Sequence, residues 1–493
     1  MLYPKFKNIP SKITRLSAFG GFTGKAAVPE SSFSDMENLT SDSFPLMKVR
    51  KKRGRLNYYN TENGKRVYTD AFSLPGSRIT SAIKVNDKVC ICTDTSVIID
   101  GSVIADARLN PMVERRTAVA FGRNILIVPD ALYIVETPEG FTVTQCQMPF
   151  MDMAVEHNNR VFGCRYGKNG SGVYVNEIYA SKLGDPTQWY SLQGISTDPY
   201  TASLGCTGEF TGVSAVSEGV IFFKEEFIIR VTGDTPSDFS VFSFPARGVE
   251  KGSSQSVVSL NEKIFYKSRD AVMVYDGALP YSISESFGSN TYSKALAGTA
   301  FGKYYVSMVD TRGRRRIFVY DTKNGLWHIE DDNYGTLFML NISGILCSVF
   351  SVSEGLYGFW VNDAEASSGL FAVLGENNGF EGYEYIPEKE VVWFAQSARL
   401  GEKENPVRQY LRKLSVTLSL EEGASLSLYI MPDDANEWQR VLFIDDASKE
   451  VFTVPVVCPK CYSFRLRYEG TGGCTLYSLA RHTEGAGGVI NNV

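Results

Sequence analysis

Residues 218–233 read EGVIFFKEEFIIRVTG, and residues 261–277 read NEKIFYKSRDAVMVYDG. Each is a pair of short apolar runs split by a polar turn and introduced by Asn or Gly beside a charged residue. Runs of this length, rich in Ile, Val, Phe and Tyr and bounded by turn residues, predict β-strands. The same unit recurs at 86–101 (NDKVCICTDTSVIIDG), 122–136 (GRNILIVPDALYIVE), 159–181 with a longer insert (NRVFGCRY, then VNEIYAS), 302–321 (GKYYVSMVD, then RRIFVYD) and 344–362, giving seven matches. Their anchors at 86, 122, 159, 218, 261, 302 and 344 are 36, 37, 59, 43, 41 and 42 residues apart, and the long step holds the insert 184–208. Periods near 40 to 50 are those of propeller blades, small twisted antiparallel sheets that cannot bury their faces alone. The expected fold is therefore all-β, with a six- or seven-bladed β-propeller over 61–385. A sandwich of several Greek keys competes, but it has no need of a regular period. Trp189, after Asp185-Pro186, and Trp327, after Asn324-Gly325, follow turn residues and are expected to pack between blades.

The ends of the chain differ from the middle. Residues 1–60 lack the repeat and are expected to form an extended N-terminal arm, with Gly20-Gly21-Phe22 and a basic cluster of Lys48, Arg50, Lys51, Lys52, Arg53 and Arg55. Such a cluster can meet phosphates, although charge runs are more often solvated loops. From 386 to 485 strict alternation appears, as in Leu426-Ser427-Leu428-Tyr429-Ile430 and Phe464-Arg465-Leu466-Arg467-Tyr468. Seven short strands, beginning at Val391, Lys413, Ser425, Gln439, Val451, Tyr462 and Cys474, predict a small β-sandwich docked on the propeller, followed by a tail at 486–493.

The chain has 493 residues, a net charge of -5, 43% hydrophobic and 12% aromatic residues. That composition supports a substantial core, and the length supports more than one folding unit. Mild acidity provides no long-range attraction for nucleic acid or anionic membranes. Neither a secretory signal nor a run of about 20 apolar residues is present, which predicts a cytoplasmic site of synthesis and no membrane insertion. Nine scattered cysteines fit reduced thiols rather than a disulfide framework.

Little in the sequence points to catalytic chemistry. His157, His328 and His482 lie in no catalytic motif. The acidic pairs Asp331-Asp332, Asp433-Asp434 and Asp445-Asp446 sit in turn-like text. Cys458, Cys461, Cys474 and His482 have a loose zinc-like spacing, but three structural thiols and a surface His account for it better. The turn Arg312-Gly313-Arg314-Arg315-Arg316 reads as a hairpin tip able to meet an acidic partner or DNA. No cofactor, metal site or enzymatic activity is expected.

The chain resembles β-propeller structural proteins of bacteriophage tails, the nozzle or tail-tube stopper of short-tailed phages. The resemblance rests on Gly20-Gly21-Phe22, then Ser34-Asp35-Met36-Glu37-Asn38-Leu39 and Arg53-Gly54, and on the phrases NRVFGCRYG, IYASKLGDPTQW, FFKEEFIIRVTGD and GSSQSVVSLNEKIFYKSRDAVMVYDG between 159 and 277. It implies a virion tail component forming a ring, a hexamer, around a DNA channel and gating genome ejection. Its implied partners are copies of itself, neighbouring tail, adaptor or portal proteins, and viral DNA in transit. Lys48, Arg50, Lys51, Lys52, Arg53, Arg312, Arg314, Arg315 and Arg316 are the candidate contacts to partner or DNA. Alternatives are a receptor- or glycan-binding propeller at a tail tip, with Trp189, Trp360 or Trp438 as sugar platforms, and a propeller hydrolase.

Overall fold

The computed structural model describes residues 11–86, 88–365, 379–401, 408–433 and 435–485. The expected tail at 486–493, together with Asp434, lies outside the described residues. Among those described, the chain is all-β. Its helical content is two single 3₁₀ turns, Ser254–Ser256 and Glu285–Phe287.

Six of the seven repeats found in the sequence are the two middle strands of four-stranded antiparallel sheets, and the seventh supplies the second and third strands of a seven-stranded sheet. Sheets one to six each have four strands in chain order and open with Ile79–Val85, Thr117–Phe121, Met153–His157, Gly212–Val216, Val258–Leu260 and Tyr292–Ala300. The seventh opens with Thr336–Ile342. The Asn anchors of the repeat are hairpin turns between first and second strands. Asn158 and Asn159 have φ of 48° and 59°, and Asn261 and Glu262 have φ of 52° and 60°. Two consecutive residues with positive φ make the tight turn whose twist suits a hairpin, and Asn tolerates that conformation better than most side chains.

Middle strands carry apolar residues on both faces because both faces are covered. In Lys88–Thr93, Val89 and Ile91 pack towards the seventh sheet while Cys90 and Cys92 pack towards the second. The pattern continues around the molecule. Leu126 and Val128 meet Val161 and Tyr179; Phe162 and Ile178 meet Phe222 and Ile229; Ile221 and Ile228 meet Ile264 and Tyr275. Phe265 and Val274 then meet Tyr304 and Phe318, and Tyr305 and Val319 meet Leu346 and Trp360. First strands of successive sheets touch in order, and Thr336–Ile342 touches Ile79–Val85.

The N-terminal segment is where the structure departs most from expectation. Residues 1–60 were expected to be an arm, yet Gly54–Glu62 is a strand of the seventh sheet, antiparallel to Leu356–Val361 through the pairs Arg55 with Trp360 and Gly54 with Val361. Gly382–Pro387 pairs on its other side. Upstream, Phe33–Glu37 joins one sheet of the C-terminal sandwich, while Ser11–Leu16, Leu39–Thr40 and Met47–Val49 join the other. The sandwich thus draws strands from both ends, and all seven of its expected C-terminal strands are present. Leu414, Val416, Leu476 and Leu479 from one sheet share a core with Trp393, Leu428, Ile430 and Leu466 from the other. These N-terminal strands escape a local reading because their partners lie hundreds of residues away and SFSDMEN carries little alternation.

The sandwich docks on the sixth sheet. Phe22, Phe287, Phe318 and Trp327 form one aromatic cluster, with ring centroids of Phe287 and Trp327 4.8 Å apart. The amide of Phe22 donates to the Trp327 carbonyl at 2.6 Å. A Cβ on Gly21 would lie 2.1 Å from that carbonyl oxygen, so the second glycine of Gly20-Gly21-Phe22 is required by close backbone approach. Because Leu56 is 2% exposed in the strand Gly54–Glu62, Leu56→Ala is expected to cost about 2–5 kcal/mol. Val67→Ala, on an exposed neighbouring strand, is expected to stay within about 0.5 kcal/mol, both read by urea denaturation.

Candidate functional site

Three places stand out: the cavity among the first strands, the charged junction before the strand Gly54–Glu62, and the insert in the third sheet. The cavity has a volume of about 380 Å³ and is lined from all seven first strands, mainly by small side chains such as Ala82, Ala118, Ala154, Ala297 and Thr299. Asp152 is the single carboxylate among its described lining residues. It accepts from the Arg165 guanidinium and, at 2.9 Å, from the Tyr166 amide. Arg116, also in the lining, is buried and donates through Nε to Asp130 at 2.7 Å. Glycoside hydrolysis needs two carboxylates flanking the bond; this lining presents one, already ion-paired.

Of the basic cluster expected to be a solvated loop, Arg50 and Arg53 are buried, Lys48 and Arg55 are half-buried, and Lys51 and Lys52 are exposed, so the sequence reading is corrected for the two buried arginines. Arg53 donates to Glu330 at 2.8 Å, to the Asp331 carboxylate, and to the Asp331 carbonyl at 2.9 Å. Its guanidinium lies 4.5 Å from the Trp360 ring centroid. Arg50 donates to Glu388 and, at 2.9 Å, to Asn38 Oδ1. Asn38 in turn donates to Asp331 at 3.0 Å and to the Val392 carbonyl at 2.7 Å. Lys51 pairs with buried Asp363 at 2.5 Å, and Arg55 with Asp70 at 3.1 Å. Lys52 is exposed and reaches the Lys389 carbonyl at 3.1 Å, and Lys48 is half-buried. Arg50 and Arg53 are therefore unavailable to phosphate. Guanidiniums form bidentate pairs with carboxylates and tolerate burial when so paired.

The Arg312 to Arg316 turn is the hairpin tip expected between Lys303–Asp310 and Arg315–Asp321. Asp310 Oδ1 accepts the amides of Arg312 and Arg314 at 2.8 and 2.9 Å. The flanking arginines then clasp the sandwich: Arg314 reaches Glu37 at 2.5 Å and Arg316 reaches Asp35 at 2.9 Å. Arg315 donates to Ser307 at 3.0 Å, while the Arg312 side chain faces solvent.

The remaining candidates resolve into structure. Trp189 and Trp360 are 4% and 1% exposed, so neither offers a sugar platform; Trp438 is half-buried. Cys458 Sγ and Cys461 Sγ are 3.9 Å apart. Cys474 and His482 stand eight positions apart on one strand, about 26 Å at the usual strand rise, so they cannot share a metal. Asp332 caps Thr336, Asp433 caps Tyr462 and Ser463, and Asp446 caps Ser448.

The insert after Tyr174–Ala180 was read only as an interruption of the period. Arg160, 1% exposed, donates to the carbonyls of Ser181, Ser196 and Asp198, each at 2.7 Å. The Asp198 carboxylate accepts the amides of Gln193, Gly194 and Ile195 at 2.8, 2.7 and 3.2 Å. Held this way, the loop presents Leu183, Tyr190, Leu192 and Ile195 at 40, 64, 75 and 47% exposure. Apolar patches on ordered surfaces mark sites of association. Exposed Leu and Ile in a loop were the sequence signal, hidden by the turn-rich text around them.

No family model matches the chain, and no curated protein matches it. Among solved structures, it is similar to an exo-β-1,3-galactanase from Phanerochaete chrysosporium, with a TM-score of 0.26 for a variant bound to β-1,3-galactotriose and 0.25 with galactose. Identity is 10% in both, over 66% of this chain and 94% of that one. It is also similar to a chain of the mitotic checkpoint complex, with a TM-score of 0.40 and 10% identity over 59% of this chain and 92% of that one. Likeness at these values carries no functional meaning.

Two outcomes test the junction. Arg53→Ala removes the nearer of the two buried counter-charges of Glu330 and Asp331, leaving Arg50 at 4.0 and 3.5 Å, and is expected to cost about 3 kcal/mol, against under about 1 kcal/mol for Arg314→Ala at the surface, both read by denaturant titration. Nearby, burial holds the His328 pKa down at about 4, and Lys303 adds to this against Asp321 and Asp42. The unfolded chain protonates His near pH 6.5, so the stability linked to neutral His328 is complete above about 6.5 and is lost as pH falls towards 4. The difference is on the order of 3 kcal/mol, and His328→Gln is expected to remove that slope from a urea midpoint measured across this window.

Proposed function

We propose that this chain is a structural, ring-forming component of a bacteriophage tail, of the nozzle or tail-tube closure type, built on a closed seven-bladed β-propeller with a sandwich beside it. Seven covered sheets in sequential contact support the propeller. The phage reading is supported by the quoted phrases, which lie on strands Arg160–Lys168, Gly219–Phe223, Phe227–Thr232 and Lys263–Lys267 and on the turns between them. The observation that carries an assembly role is the third-sheet insert, an apolar surface pinned by buried Arg160 and Asp198 and so ready to be covered without an ordering cost. Its partners in this reading are copies of the chain in a hexameric ring and neighbouring tail, adaptor or portal proteins, with residence in the virion tail.

A cavity of about 380 Å³ is of small-molecule size, so a DNA path in such a ring runs between copies and not along the axis of one propeller. Of the nine candidate contacts, exposed Lys52 and Arg312 and half-buried Lys48 have no carboxylate ion pair among the described residues, and these are the ones offered to DNA or a partner.

Electron microscopy of the purified protein, and of particles from the same genetic locus, tests the reading. A ring of propellers around an axial channel is the expected result; a monomer absent from particles would sink it. Leu192→Asp is expected to lower ring assembly by at least about tenfold while leaving the thermal midpoint within about 2 °C, because the side chain is exposed in the single chain.

A further inference from the structure

The turn Cys458-Pro459-Lys460-Cys461 connects Val451–Pro455 in one sheet of the sandwich to Phe464–Thr471 in the other. Its two sulfurs are 3.9 Å apart. Around them Val457 is 94% exposed, and Pro459 and Lys460 also face solvent. Cys458 lies at the outer side of the pair at 9% exposure, and Cys461 is 1% exposed. The turn is anchored to the start of the strand Gln409–Leu420, since the Gln409 amide donates to the Cys461 carbonyl at 2.8 Å and the Cys461 amide returns to Gln409 at 3.0 Å. All nine cysteines of the chain are free thiols. Cys90 and Cys92, the other closely spaced pair, are fully buried on one strand.

We propose that Cys458 and Cys461 are a reversible dithiol–disulfide pair, a covalent latch on the crossover between the sandwich sheets that closes on contact with small-molecule disulfides. The separation needs only small side-chain rotations to reach a bond of about 2.05 Å, and a C-x-x-C turn places its cysteines within bridging range. The order of events follows from the environment. A hydrogen bond from Cys461 pulls the Cys458 pKa down, against burial and the nearby Asp433 carboxylate, whereas the Cys461 thiol is held up by that same bond. Cys458 is therefore the attacking thiolate. It displaces one thiolate from the small disulfide and forms a mixed disulfide. Cys461 then releases its proton to solvent, attacks Cys458 Sγ and expels the second thiolate. The protein loses two hydrogens, and the small disulfide becomes two thiols. In the closed form the crossover and the start of the Gln409–Leu420 strand are tied more tightly. This inference does not depend on the phage reading.

The test exposes reduced full-length protein to oxidised glutathione, then quenches and alkylates it in denaturant for mass spectrometry. The expected result is alkylation at seven of the nine cysteines, a mass about 2 Da lower when measured without alkylation, and a linked 458–461 peptide. Cys461→Ser is expected to accumulate a glutathione adduct at Cys458, and Cys458→Ser to leave Cys461 at least about tenfold slower to react. The oxidised wild type should also melt above its reduced form, a shift absent from the Cys458→Ala, Cys461→Ala double variant. The wild-type peptide map stands even if a single variant misfolds. Nine alkylatable thiols after exposure, or oxidation at other cysteines with 458 and 461 free, would overturn the proposal.

Discussion

Two arginines three residues apart decide how the ends of the chain come together. Arg50 and Arg53 precede the strand Gly54–Glu62, which pairs with the last repeat of the chain. Between them they engage Asn38 of the N-terminal segment, Glu330 and Asp331 of the sixth sheet, and Glu388 at the entry to the sandwich, while Arg53 lies over Trp360 of the seventh sheet. Removing guanidiniums from water costs several kcal/mol each, and only well-formed carboxylate pairs with further hydrogen bonds offset this. The cluster supplies such pairs for both guanidiniums, with Arg53 Nε alone of their nitrogens buried without a hydrogen-bond partner among the described residues. Burial alone would raise the Asp331 carboxyl, but Arg53 and Arg50 keep it below its ordinary pKa and therefore charged. A misplaced Gly54–Glu62 strand would leave five charged groups without partners, so the cluster selects register and neighbour at once.

The same constraint accounts for where the chain presents surface and where it does not. A basic run that reads as a phosphate site is drawn inward because it must neutralise acids on three other elements. The hairpin tip at 312–316 is similarly occupied by Asp35 and Glu37 of the sandwich. The third-sheet insert, tethered from below by Arg160 and within by Asp198, displays Tyr190 and Leu192 to solvent. A backbone held by buried hydrogen bonds under exposed apolar side chains lowers the entropic cost of any association there. The cavity among the first strands is lined mainly by small side chains, with one carboxylate that is ion-paired.

Much of the architecture was legible locally. Seven repeats at a period near 40 became the second and third strands of seven sheets, because strands covered on both faces must be apolar at consecutive positions and need Asn or Gly at their hairpins. The alternating C-terminal strands became a sandwich for the complementary reason, one face wet and one dry. Trp189 read as packing between sheets and does so, between the second and third. The N-terminal 60 residues were misread, since strands such as Phe33–Glu37 show their apolar logic only against partners near residues 394–397.

What the sequence by itself determined is therefore the all-β class, the repeat and the reading of the C-terminal strands, all set by side-chain periodicity over a few residues. Tertiary structure alone decided that both chain ends build the sandwich, that Gly54–Glu62 joins the seventh sheet, that Arg50 and Arg53 face inward, and that the Cys458 and Cys461 sulfurs meet. The physical reason is range: hydrophobic alternation is written locally, whereas the burial of a charge is tolerable only where distant parts of the chain bring its counter-charge.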